Sequence, residues 1–107
     1  MKASQSLDET VVEILKADPE MADVYLATAL EEVNLPGGQF ALLAALRHIA
    51  ESQGMAAVAE KAGLQRESLY RALSPKGNPT IKTLLAVLSA SGLHLSVTRQ
   101  ASESVQT

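Results

Sequence analysis

The chain has no cysteine and no tryptophan. Its 107 residues include only one phenylalanine, two tyrosines and two histidines. Without cysteine there are no disulfides, no thiolate nucleophile and no cysteine-bound zinc, which fits a reducing compartment. With aromatics at 3%, the core must be assembled from Leu, Ile, Val and Ala, which suits small packed helices better than a β-sandwich. No run approaches the ~18 consecutive apolar residues of a membrane span. The N-terminal MKASQSLDE lacks the apolar stretch of a signal peptide. These absences predict a soluble cytoplasmic protein with no membrane partner. Catalysis also lacks its parts: neither His48 nor His94 has an acidic neighbour at metal-ligand spacing, and no serine has a G-x-S-x-G setting. PGG and PKGN are turn sequences, not a phosphate-cradling loop. The expectation is no enzyme, no catalytic residue, no metal and no cofactor.

The charge is uneven. Residues 1–46 hold two bases, Lys2 and Lys16, against eight acids; residues 47–107 hold seven bases against four acids. The net −3 therefore conceals an acidic front and a basic rear, a pattern that hints at two surfaces with different partners. Scatter in a short chain is the plainer explanation.

Helical signals follow one another along the chain. Ser6 and Glu9 have capping-box spacing, and Leu7, Val11, Ile14 and Leu15 form a helical stripe behind them. Asp18 and Pro19 suit the start of a second helix, with Leu26, Leu30 and Val33 on one face. QFALLAALRHIAESQG predicts a third helix, with Phe40, Leu43, Leu46 and Ile49 as core, stopped by Gly54. MAAVAEKA and LQRESLYRAL are two short helices hinged at Gly63, followed by the loop SPKGNP. TIKTLLAVLSAS predicts a last helix capped by Thr80, its buried face built from Ile81, Leu84, Leu85 and Leu88. In LHLSVTR, Leu93, Leu95 and Val97 alternate with polar residues, a strand pattern. The fold expected is all-α, five or six helices with a short C-terminal β-strand. The expected organisation is an N-terminal helical segment over 1–37 that could serve as a partner-contacting arm, a helix-turn-helix DNA-binding domain over 38–98, argued next, and a flexible polar tail over 99–107.

Two short helices about a glycine turn are the arrangement of a helix-turn-helix. Ala59 is small enough for close crossing, Gly63 supplies the turn, and Leu69 anchors the second helix. Gln65, Arg66, Glu67, Tyr70 and Arg71 are then left facing outward. Gln pairs bidentately with adenine, Arg with guanine, and a carboxylate accepts from cytosine. Glu67 could instead orient Arg66 or Arg71. Lys76 and Asn78, in the following loop, could hold the phosphate backbone, while Arg47 and Lys61 would add only to the local field. Ordinary solvated arginines on a small helical domain are the bland alternative.

Further identification comes from resemblance. LYRALSPKGNPTIKTLLAVLSASGLHLSV resembles the signature of the HigA-like addiction-module antidote proteins, a branch of the phage-repressor (Xre/Cro-like) helix-turn-helix superfamily, and YLATALEE is similar to that branch's N-terminal helix. The likeness runs from about Asp18 to Val97 and is most specific in LYRALS, GNP and SGLHLSV. It implies an antitoxin encoded beside a small RelE/HigB-like toxin that cleaves messenger RNA, and repression of its own operon. The chain departs from the family in having Gln65 where Ser or Thr often caps the recognition helix, and in a longer NLPGG connection.

A repressor of this kind reads a palindrome on double-stranded DNA as a homodimer, its two recognition helices about 34 Å apart. Leu93, Leu95 and Val97 are the candidate dimer element, pairing antiparallel with a second copy. The stripe Leu7, Val11, Ile14 and Leu15, flanked by acids, is the candidate toxin-binding surface. Two other readings remain open at this stage: a stand-alone phage-like regulator without a toxin, and an interaction module that does not bind DNA.

Overall fold

The capping box at the start of the chain forms. In the computed structural model, which describes residues 6–99, the Ser6 hydroxyl accepts from the Glu9 N–H at 3.0 Å, and the Ser6 N–H donates back to Glu9 Oε1 at 3.2 Å. This launches α1 (Leu7–Ala17). It is followed by α2 (Met21–Glu31), α3 (Gly38–Gln53), α4 (Met55–Ala62), α5 (Arg66–Ala72) and α6 (Ile81–Ala90). Gly54 alone separates α3 from α4. The Thr80 hydroxyl caps α6 by accepting from the Thr83 N–H at 3.1 Å. Asp18 does not cap α2, whose N-cap position is Glu20 and has no side-chain hydrogen bond.

Helix α3 is the central element. It packs against α1, α2, α4 and α6, while α4 lies against α5 and α6. Its Ala45, Leu46, Ile49 and Ala50 meet Leu15 of α1, Leu26 of α2, Val58 of α4, Leu69 of α5 and Leu88 of α6 in one core cluster. That core is aliphatic, as the shortage of aromatics requires. The N-terminal helices contribute to it directly through Leu15, Ala22, Leu26 and Ala29.

Three expectations need correction. Phe40 is not core; it is 62% exposed. A strict three-residue spacing slips about 60° per step around a helix of 3.6 residues per turn, so Phe40 has rotated well away from the inward side that holds Leu46. In α6 the buried face is Thr83, Val87 and Leu88, with Leu84 half-buried, while Ile81 and Leu85 are exposed. The inward direction is turned towards Thr83. Leu30 is also at the surface, and α2 buries Ala22, Leu26 and Ala29 instead.

The C-terminal strand is not formed either. Among the described residues there is no strand. A strand exists through its ladder, and every element among the described residues is a helix that offers no edge. The Leu93 N–H instead bonds the Leu88 carbonyl at 2.8 Å, closing α6, and the Leu93 side chain packs on the core. Residues 100–107, which hold most of the expected polar tail, lie outside the described residues.

A polar chain crosses the α1–α3–α2 junction. Buried His48 places Nε2 2.6 Å from Asp8 Oδ1 and Nδ1 2.7 Å from the Tyr25 hydroxyl. A carboxylate can only accept, so Nε2 carries a proton. In the neutral ring Nδ1 then accepts from Tyr25, whose hydroxyl burial holds in its protonated form. The His48 hydrogen bond lowers the Asp8 pKa from its ordinary 3.8, opposed by partial desolvation and aided by the Arg47 charge. A depressed carboxylate stabilises the fold above its unfolded pKa and loses that contribution as pH falls through the folded one. Asp8→Asn retains an acceptor but no charge. We expect wild type to melt higher than Asp8→Asn near neutrality, and the gap to close as pH drops below 3.8. Thermal melts across that range check this; a gap that ignores pH would exclude the charge as the cause.

Candidate nucleic-acid interface

Helix α5 is only seven residues long, too short to hold itself in water. Its tertiary contacts hold it. Leu69 and the C-terminal Leu73 are fully buried in the core. The turn before it is built on Gly63, which sits at φ +72°. The Gly63 N–H bonds the Glu60 carbonyl at 3.1 Å and the Leu64 N–H reaches the Ala59 carbonyl at 2.9 Å. That pair satisfies the last carbonyls of α4 and turns the chain in a Schellman motif. A Cβ built on Gly63 meets nothing within 4 Å. The glycine is needed for its backbone angle, not for lack of space. Ala59 is buried in α4 and belongs to the core cluster.

Arg47 has a different part from the one expected. Its side chain is largely buried, and it donates to the Leu73 carbonyl at 2.8 Å, capping the end of α5. Asp8 lies 4.0 Å from the same guanidinium. Arg47 therefore anchors α5 to α3. The sequence signal was present only as a base on a helix face otherwise turned inward.

The outward side of α5 carries the residues predicted for it. Gln65, Arg66, Glu67, Tyr70 and Arg71 are all exposed. Gln65 occupies the N-cap position with extended backbone and makes no capping bond, so its amide is available for other contacts. The Arg66 guanidinium lies over the Tyr70 ring at 5.8 Å. Among the described residues no ion pair ties Glu67 to Arg66 or Arg71.

The loop after α5 curls back beside it. The Ser74 hydroxyl donates to the Arg71 carbonyl at 2.9 Å, and the Gly77 N–H bonds the Ser74 carbonyl at 2.8 Å. This brings Lys76 and Asn78 into the same shallow hollow as Arg71, together with Ser68 and Ser74. The two serines were missed by sequence reading, because nothing in their spacing distinguishes them from turn residues.

The other sequence candidates separate. In the α1 stripe Leu15 is core and Val11 is half-buried against it, so only Leu7 and Ile14 present apolar surface. Among the dimer candidates Leu93 is half-buried, while Leu95 is 44% and Val97 95% exposed. The structure also sets α1 acids around one cleft with Arg66 and Tyr70 of α5, an arrangement with no sequence signature.

The model of a family described as "probable addiction module antidote protein" matches residues 5–99. An uncharacterized protein of Haemophilus influenzae (strain Rd) is 39% identical over 93 residues, spanning 87% of this chain and 91% of that protein. No solved structure matches.

Proposed function

The chain belongs to the family of probable addiction module antidote proteins, and from that premise we propose that it is an antitoxin of the HigA-like branch that binds a RelE-type toxin and represses its own operon. In this reading α4, the Gly63 turn and α5 form a helix-turn-helix, and α5 enters the major groove of an operator. One observation carries the reading. The exposed side of α5 holds Gln65, Arg66, Tyr70 and Arg71, and Lys76 and Asn78 join Arg71 in one hollow. Amide and guanidinium groups read base edges, and the loop amine holds phosphate. The test is a titration of the protein against a duplex from its own upstream region and against a random duplex, at two salt concentrations, followed by fluorescence anisotropy. Equal affinity for both duplexes at both salts would remove the operator.

The toxin would be met by α1. Leu7 and Ile14 offer the apolar contact, and Asp8, Glu9 and Glu13 the charge that suits a basic RNA-binding partner. The overall acidity also favours a second reading, a partner-neutralising module without DNA affinity, since nonspecific DNA binding is electrostatic.

A palindromic operator calls for a dimer. Leu95 and Val97 lie exposed on a segment outside the helices whose alternation fits a strand paired across a two-fold axis with a second copy. Centred on Leu95, antiparallel pairing sets Leu93 against Val97 of the other copy. We expect wild type to sediment as a dimer and the double change Leu95→Arg, Val97→Arg as a folded monomer. A wild type that stays monomeric at high concentration would sink this assignment.

A further inference from the structure

One cleft sets α1 against the outward side of α5. Asp8, Glu9, Glu13 and Lys16 of α1 and Glu51 of α3 line it together with Arg66 and Tyr70 of α5. The chain neutralises these carboxylates only in part. Asp8 is engaged by His48. Glu13 has Lys16 at 3.8 Å in an exposed pair, which screens little. Glu9 uses one oxygen on the Ser6 N–H. Among the described residues no ion pair joins Arg66 to any of them.

We propose that the acidic edge of α1 is an electrostatic guard on the DNA-reading face, which weakens the approach of phosphates to Arg66 and Tyr70 until α1 is neutralised. The proposal rests on the DNA-binding reading above and concerns the regulation of that same face. A phosphate seated at Arg66 would share one cleft with the carboxylates, and charges at 0.1 M salt interact over ~10 Å. Low-dielectric walls, here Val12 and Met55, reduce screening further. The repulsion falls on the residues that would read the bases, not evenly over the molecule. A basic protein seated on α1 would cover the carboxylates and lift the guard, so partner and DNA would bind with positive coupling.

The test compares the full chain with Glu9→Gln, Glu13→Gln and with a remote pair, Glu20→Gln, Glu31→Gln, which removes the same charge away from the cleft. Gln at position 9 preserves the capping box, and thermal melts confirm that each variant is folded. Binding to the upstream and random duplexes is read by anisotropy at about 50 mM and about 200 mM salt. The cleft pair should tighten binding roughly three- to ten-fold at the lower salt, with the gain shrinking at the higher. The remote pair should give a small part of that gain. Equal gains from both pairs would reduce the effect to net charge and overturn the guard, as would a cleft pair that binds like wild type. If wild type and variants alike bind neither duplex, the DNA-binding reading itself falls and the guard falls with it.

Discussion

Replacing Arg66 and Arg71 together by alanine is expected to lower affinity for the upstream duplex by roughly 100-fold or more, while leaving the fold intact. Each well-placed bidentate contact to a base is worth about 1–3 kcal/mol, and two on one short helix act in the same direction. Both side chains are exposed, and neither belongs to the buried cluster, so the melting curve should move little. The pattern of loss is more informative than its size. Base-reading arginines lose affinity for the upstream duplex far more than for a random one. Phosphate-holding arginines lose both alike, and the salt slope falls by about one for each contact removed. A variant that keeps the wild-type preference would move the reading surface off α5. Because Arg66 lies over the Tyr70 ring, the two are not independent, and Tyr70→Leu should reproduce part of the Arg66 effect.

Gly77→Ala is expected to have the largest effect on stability of any single methyl addition in the α5–α6 loop. A Cβ at Gly77 would be driven into the Ala72 carbonyl and would crowd that of Arg71. Both are backbone atoms at the end of α5, and they cannot swing aside as a side chain would. Overpacking of this kind costs about 1–3 kcal/mol. In a domain of this size that lowers the melting temperature by roughly 4–8 °C for each kcal/mol. Relief by moving the loop would displace Lys76 and Asn78 from the Arg71 hollow, so DNA affinity should fall with stability. Gly63→Ala is the natural contrast. It meets no steric obstacle, only the left-handed backbone, at about 1–2 kcal/mol. Urea unfolding of the two variants separates the mechanisms. A Gly77→Ala protein as stable as wild type would show that the loop does not lie against α5.

Much of this architecture was legible in local patterns. The Ser6–Glu9 box, the Thr80 cap, the Gly54 stop and the Gly63 turn marked helix ends, because caps are interactions between residues a few positions apart. The outward set on α5 was legible for the same reason: once Leu69 is inward, a two-turn helix leaves Arg66, Glu67, Tyr70 and Arg71 little choice. The phase of the longer helices was less legible. Phe40, Ile81 and Leu85 are apolar and near the right spacing, yet they lie outside the core because neighbouring helices set which side of α3 and α6 is covered.

The chain by itself determined an all-helical, cysteine-free, aliphatic-cored molecule with its bases gathered behind an acidic front, since composition and short-range spacing carry that information. Only the tertiary structure decided that Arg47 caps α5, that His48 bridges Asp8 and Tyr25 across 40 and 23 residues, and that the α1 carboxylates line one cleft with Arg66. It also left Leu95 and Val97 without the strand partner that their alternation asks for. These outcomes depend on which helices meet. Packing, not spacing along the chain, brings distant charges and hydrogen-bonding groups within reach of each other.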